Sequence, residues 1–286
     1  MEHQLEHGHV VLHDLDRVTS TQDEAARRLG AGDPAPFAVL AREQTAGRGR
    51  LGRRFVTPPG AGVAVTVVLR TGLPLDARTW IPLAAGLAVI DVLAAPPLGL
   101  APVDADGGGD VGLKWPNDIH TVDGRKLGGI LVEGRGPDHV LVGIGLNLHG
   151  PVRDADGATV PGAAWLLGPG SVTGRDRTGS SAEGVRRTLG ADLARAVPRE
   201  TGALESTGGD ARAAHIYQRY TVTCLTLGRT VRVEPLGAAR GECAPSALLG
   251  TAQAIDDRGR LVLRTPVGTD VPVDVGDVRH GPRDDR

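Results

Sequence analysis

Lys114-Trp115-Pro116-Asn117-Asp118, followed by Arg125-Lys126-Leu127-Gly128-Gly129-Ile130-Leu131-Val132-Glu133, is the stretch on which the reading of this chain turns. Lys114 and Lys126 are the only lysines in 286 residues; arginine carries the rest of the positive charge. Lysine is a compact, movable ammonium and arginine a fixed planar fork, so the two are not interchangeable beside a reacting phosphate or carboxylate. A composition biased toward Ala, Gly and Arg also leaves stray lysines by chance, and the block alone does not separate these explanations. Trp115 to Asp118 reads as a strand end running into a turn, with Pro116 fixing φ and Asn117 and Asp118 as good turn formers. Both turn residues are also hard oxygen donors suited to a Mg²⁺ that travels with triphosphate. Lys126 opens the next strand, where Gly128 and Gly129 permit close approach of a ligand. The expectation is a hairpin with metal-side oxygens at one end and an ammonium at the other; a purely structural turn competes with it.

Two further segments flank this block. Upstream, Gln44-Thr45-Ala46-Gly47-Arg48-Gly49-Arg50-Leu51-Gly52-Arg53-Arg54-Phe55 leaves a predicted strand and alternates Gly with Arg. Glycines let the backbone approach a ligand and aim its N–H groups at an anion, and arginines add bidentate phosphate recognition. Phe55 offers a ring for stacking. A solvated basic loop, or a weak RNA-binding segment, has the same composition. No G-x-x-x-x-G-K-[ST] occurs, and no G-x-G-x-x-G opens a helix, so neither a P-loop nor a dinucleotide fingerprint is present. Downstream, Gly143-Ile144-Gly145-Leu146-Asn147-Leu148 places two glycines at alternate positions of one strand. That clears one strand face, either for a flat ligand or for tight packing under a helix.

The rest of the chain sets the frame. Forty per cent apolar residues can fill a core, with Ala, Val and Leu doing most of it because aromatics are 2%. A net charge of −2 gives no overall attraction to nucleic acid or anionic membrane. There is no apolar run of membrane-spanning length, and the N-terminus MEHQLEHGHVVLHDLDR is not a secretory signal. Cys224 and Cys243 read as reduced, structural thiols, and the cytoplasm is the expected compartment. The histidines have no metal-ligand spacing, and no Ser-His-Asp or Cys-His pattern stands out.

Thr21 with Glu24 suggests a capping box for a helix stopped at Gly30. Phe37 to Arg42, Gly62 to Arg70, Val111 to Trp115, Leu127 to Glu133 and Val140 to Leu148 read as strands. Arg78 to Ala95, Val185 to Val197 and Ala211 to Tyr220 read as helices. Pro96 to Asp110 reads as a surface loop, and Pro151 to Gly184 as largely irregular. After Tyr220, short alternating runs at 230–233, 250–255, 260–263 and 270–275 suggest a small β-barrel.

In this order and at these separations, the segments resemble the biotin protein ligase family. Its pattern is a Ser-Thr-Asn-type segment, Gln-x-Ala-Gly-Arg-Gly-Arg, Lys-Trp-Pro-Asn-Asp, Lys-Leu-Ala/Gly-Gly-Ile-Leu-x-Glu and Gly-x-Gly-x-Asn. Here these are Ser20-Thr21-Gln22, Gln44 to Arg50, Lys114 to Asp118, Lys126 to Glu133 and Gly143 to Asn147. The match is good from Val10 to Leu148, looser in the C-terminal barrel and weakest over Pro151 to Gly184. Departures are Gln22 for the usual Asn and Phe55 for a frequent Trp.

The resemblance implies an α+β fold: a mixed, largely antiparallel sheet flanked by helices, a class II synthetase-like catalytic domain over residues 1–220. A small SH3-like β-barrel would follow over 221–286. It implies a ligase that makes biotinyl-5′-AMP from biotin and Mg·ATP, then transfers biotin to a lysine of a biotin carboxyl carrier protein or domain. Lys126 and Arg50 are then the catalytic residues. Ser20, Thr21, Gln22, Gln44, Arg48, Gly49, Arg50, Lys126, Gly129, Gly143 and Gly145 belong to the biotin site. Arg48, Arg50, Arg53, Phe55, Lys114, Asn117, Asn147 and Arg279 belong to the ATP and adenylate site, with Asp118 on the metal side. Ser20 lies too near the N-terminus for a preceding DNA-binding domain of the kind some members carry. The expectation is therefore a ligase without DNA binding or membrane attachment, acting as a monomer or weak homodimer. A lipoate or octanoate ligase-transferase, and a non-catalytic nucleotide- or RNA-binding module, are the alternatives.

Overall fold

The computed structural model describes residues 3–7, 10–52, 55, 58–154, 156–174, 181–235, 247–274 and 276–281. Arg53 and Cys243 fall outside them. The chain runs through strands β1 (His3–His7) and β2 (Val10–Val18), helix α1 (Thr21–Ala31), and strands β3 (Phe37–Gln44) and β4 (Gly62–Arg70). Helix α2 (Ile81–Ala94) leads to β5 (Val111–Lys114), β6 (Asp118–Thr121), β7 (Lys126–Arg135) and β8 (His139–Asn147). Helices α3 (Ala182–Ser206) and α4 (Ile216–Thr223) precede β9 (Thr230–Pro235), β10 (Leu248–Ile255), β11 (Leu261–Arg264), β12 (Asp270–Val273) and β13 (Gly276–His280).

Strands β1 to β8 form one sheet in the order β1-β2-β3-β4-β8-β7-β6-β5. Only β2 and β3, joined through α1, pair in parallel; every other neighbour is antiparallel. Period-two alternation divides the central strands between two faces. Phe37 and Val39 pack with Ala25 of α1 on one face, while Ala38 and Leu40 join Leu87 and Leu193 of α2 and α3 on the other. Strand β4 is buried on both faces up to its last residue, which explains its almost unbroken run of Val and Ala. The last five strands form an antiparallel sheet, β12-β11-β10-β9-β13, that fits the SH3-like expectation. Its Val231, Val233, Leu261 and Leu263 share one continuous core with Trp80 and Leu83.

Several expectations need correction. Ser20, not Thr21, caps α1: its hydroxyl accepts from Gln22 N at 3.2 Å, while Glu24 pairs with Arg27 and Arg28 instead of reaching back. Gly30 lies inside α1, and Gly32 ends it at φ 100°, a left-handed conformation that glycine adopts without a Cβ clash. The Pro96–Asp110 loop is not wholly superficial, because Leu98, Leu100 and Val103 drop into the core. Helix α4 starts five residues later than expected, after His215 at φ 58°. Strand β2 escapes a hydrophobicity reading because two of its buried residues are polar. Asp14 is paired with Arg186 at 2.7 Å, and His13 accepts from Arg28 at 3.0 Å.

Candidate active site

The sheet, the Gly–Arg loop and the start of β13 enclose a cavity of about 520 Å³. That volume suits a small-molecule substrate or two joined ones. Its first wall is the N-terminus of α1. Ser20, Thr21, Gln22 and Gln44 are all buried there. Thr21 donates through both its backbone N–H and its hydroxyl to Gln44 Oε1, at 2.8 and 3.1 Å, and Thr66 donates to the Thr21 hydroxyl at 2.8 Å. This network ties α1 to β3 and β4 and fixes the polar floor of the cavity.

The second wall is the β5–β6–β7 meander. The expected two ends of the hairpin meet: Lys126 Nζ donates to Asp118 Oδ1 at 2.7 Å. Burial works against ionisation of Asp118, but His120, whose Nε2 lies 3.9 Å from its Oδ2, and the charge and hydrogen bond of Lys126 outweigh it and bring its pKa down to about 2. Gly129 stands beside the pair; a Cβ there would lie 3.3 Å from Asp118 Oδ1 and 3.6 Å from Lys126 Nζ. Asn117 is engaged on both sides, accepting from Arg50 Nη1 at 2.6 Å and donating to Ile130 O at 2.8 Å. Asp118 is therefore the one carboxylate the turn offers to a cation. Among the described residues no group of three His, Cys, Asp or Glu side chains could hold a metal by itself.

The third wall is the loop after β3. Phe55 N donates to Gly47 O at 2.9 Å and closes it. Arg48 reaches Glu133 Oε2 at 2.9 Å and Asp23 Oδ1 at 3.0 Å, while Arg50 sits on Asn117. The clearance left by the β8 glycines is taken up by protein. A Cβ at Gly145 would stand 2.6 Å from the Phe55 ring, and one at Gly143 would stand 3.0 Å from Gln22 Oε1. The glycines thus seat two side chains of the cavity wall. Asn147 donates to Ala164 O at 2.9 Å and Lys126 O at 3.3 Å, pinning the segment after β8 to the start of β7.

The cavity brings together Ser20, Thr21, Gln22, Gln44, Arg48, Gly49, Arg50, Phe55, Lys114, Asn117, Asp118, Lys126, Gly129, Gly143, Gly145 and Asn147. Arg279 does not join them. The cavity meets β13 only at Gly276, Asp277 and Val278; Arg279 lies beyond, 68% exposed and 3.9 Å from Glu234. Sequence reasoning also missed Arg153, Asp154 and Val160, which line the cavity from a Gly/Asp/Pro-rich loop without periodicity. Trp115 was read only as a strand end. It is buried and donates from its backbone N–H to Thr226 Oγ1 and from Nε1 to Gly259 O, both at 3.0 Å, clamping the lysine block to the C-terminal sheet.

Residues 15–147 match the Biotin/lipoate A/B protein ligase family, and residues 246–281 match the Biotin protein ligase C terminal domain. A biotin–[acetyl-CoA-carboxylase] ligase of Mycobacterium tuberculosis is 35% identical, covering 93% of this chain and 88% of its own. The chain belongs to the biotin protein ligase family. A ligase of the same description from Paracoccus denitrificans is 37% identical, over 90% of this chain and 95% of its own. The fold of this chain matches that of the biotin protein ligase of Aquifex aeolicus in complex with biotin and ATP, with TM-score 0.66 over 94% of this chain and 99% of that one, at 23% identity.

Proposed function

We infer that this ligase forms biotinyl-5′-AMP from biotin and Mg·ATP, then transfers the biotinyl group to a lysine of a biotin carboxyl carrier domain of a biotin-dependent carboxylase. In the first step a biotin carboxylate oxygen attacks the α-phosphorus, and pyrophosphate leaves with the electron pair of the broken P–O bond. In the second, the acceptor amine attacks the carbonyl of the mixed anhydride, AMP leaves, and the nitrogen loses a proton. Both steps begin by bringing anions together or stabilising an anionic leaving group. Positioned cations should therefore supply most of the rate.

One observation supports this reading above the others: a single cavity is ringed by both lysines, Arg48 and Arg50, with α1's polar residues at its other end. Lys126 bridges the biotin carboxylate and the α-phosphoryl oxygens, held in place by ionised Asp118. Arg48 and Arg50 hold the adenylate phosphate, and Lys114 faces the triphosphate. Ser20, Thr21, Gln22 and Gln44, with Gly49, Gly129, Gly143 and Gly145, form the biotin pocket; Phe55 and Asn147 flank the adenylate. Mg²⁺ bound with triphosphate keeps several waters and needs only one or two carboxylates, which Asp118 can supply. Its chemistry would be neutralisation of phosphate charge.

We place the division between ligase domain and barrel at 220/221 and the protein in the cytoplasm, as a monomer or weak homodimer. Among the described residues no helix is long and apolar enough to cross a membrane. A net charge of −2 favours neither DNA nor RNA as a partner. The test is ATP-dependent incorporation of labelled biotin into a purified carrier domain. Labelling lost when the acceptor lysine is replaced by Arg supports the function; absence of labelling by folded enzyme argues against it.

A further inference from the structure

Glu133, at the far end of β7 from Lys126, is outside the cavity lining, yet three side chains converge on its Oε2. Arg48 Nη2 lies at 2.9 Å, Gln22 Nε2 at 3.3 Å and Arg135 Nη2 at 3.4 Å. Arg48 comes from the Gly–Arg loop and Gln22 from the first turn of α1, so one carboxylate oxygen joins two walls of the cavity. Asp23 is a second, more exposed anchor for Arg48 alone.

The orientation of the Gln22 amide follows from these contacts. Its two neighbours on one side, Glu133 Oε2 and Leu131 O at 3.5 Å, offer acceptors, so the NH₂ end must face them. The carbonyl end is then directed to Gly143, another residue of the cavity wall. Gln22 is 3% exposed, and its Oε1 has no partner among the described residues. A buried acceptor without a partner is costly, and a ligand N–H is the group that would relieve it. A cyclic urea carries such N–H donors; a dithiolane or an alkyl chain does not.

We propose that Glu133 is a positioning residue that fixes the Gln22 amide as an acceptor for the ureido N–H and, through Arg48, latches the Gly–Arg loop over the occupied pocket. This rests on the biotin ligase reading. Glu133 sets affinity for biotin and leaves the adenylation step itself to Lys126 and the arginines. A neutral amide in its place keeps the shape but weakens the hold on Arg48, and it lets the Gln22 amide turn over, because a Gln can donate as well as accept.

The test compares wild type with Glu133→Gln in biotin-dependent ATP–pyrophosphate exchange, with biotin Kd measured by calorimetry and thermal midpoint as the folding control. The expected result is a KM and Kd for biotin raised about tenfold, equivalent to about 1.4 kcal/mol, with kcat within about twofold and an unchanged midpoint. Glu133→Asp, which keeps the charge, should recover part of the affinity. Unchanged KM and Kd in folded Glu133→Gln would overturn the proposal, as would a fall in kcat at unchanged KM. Should Glu133→Gln not fold, the same readings on Glu133→Asp decide, with biotin affinity equal to wild type overturning it. Wild-type enzyme inert toward biotin would instead refute the ligase reading and is distinguishable on that ground.

Discussion

Lys126 Nζ and Asp118 Oδ1 form a 2.7 Å ion pair across neighbouring strands β6 and β7, at the cavity wall. The Lys126 side chain is 45% exposed and that of Asp118 20%. The cation is therefore held in place by a partner more buried than itself and remains open to a second anion. Lys126→Ala should abolish biotinyl-adenylate formation while the protein stays folded, a loss of at least ~10²-fold by analogy with removal of one preorganised electrostatic donor. Normal adenylate synthesis by this variant, followed by chromatography of the nucleotide products, would remove Lys126 from the chemistry.

The same pair governs acid stability. With a folded pKa of about 2 against an ordinary 3.8, Asp118 stabilises the fold above pH 4, and this contribution is lost as pH falls toward 2. The shift corresponds to roughly 2 kcal/mol. Urea titrations from pH 5 to 2 should show a shallower acid limb for Asp118→Asn than for wild type; superimposable limbs would contradict the pairing.

His280 titrates with the opposite charge but the same sign of pH dependence. Burial first, then the positive charges of Lys114, Arg229 and His120, hold its pKa down at about 3 from an ordinary 6.5. The unfolded chain therefore takes up a proton that the folded chain refuses, and stability falls as pH drops from 6.5 toward 3. His280 Nε2 lies 3.1 Å from Thr226 Oγ1, which accepts from Trp115 N. His280→Gln should flatten the thermal midpoint between pH 7 and 4.5; an unaltered slope would show that His280 is not the titrating group.

Gly145→Ala tests the seat of the aromatic ring. The new methyl would stand 2.6 Å from the Phe55 ring, which must move. The Michaelis constant for Mg·ATP should rise about tenfold, the effect of losing a stacking contact worth about 1.4 kcal/mol, with a smaller rise in that for biotin, whose pocket Gly145 also borders. An unchanged nucleotide constant would separate Phe55 from the adenylate.

Arg50→Gly should let the adenylate escape. Arg50 is the loop residue anchored on Asn117 at 2.6 Å, and without it the loop loses that anchor and a cation beside the adenylate phosphate. Mass spectrometry should then find biotin on lysines of bystander proteins. Labelling confined to the proper acceptor would show that Arg50 does not retain the intermediate.

What could be read in advance follows from chemistry and periodicity. The Gly–Arg loop and the two lysines were legible because anion chemistry requires those residue types in local runs, and the alternate glycines of β8 because they clear one strand face, which Phe55 and Gln22 fill. Strands β3, β4 and β8 were legible because they are buried nearly throughout. The Lys126–Asp118 contact was not, because the residues were assigned to opposite ends of a hairpin that in fact brings them side by side. Glu133 was quoted only as part of a motif; its partner Arg48 lies 85 residues away in the chain. Strand β2 and the cavity-lining loop at Arg153 failed for opposite reasons, one hiding paired charges in a strand, the other having no pattern at all. Arg279 was placed by alignment of a short, weakly matching strand, and the cavity ends just before it.

Biotin-dependent ATP–pyrophosphate exchange, with lipoate and octanoate run in parallel, is the most direct measurement of whether this cavity adenylates biotin. Exchange that requires biotin and Mg²⁺, and that disappears in Lys126→Ala, is the predicted result. Exchange with lipoate or octanoate alone, or none with any acid from folded protein, would contradict it.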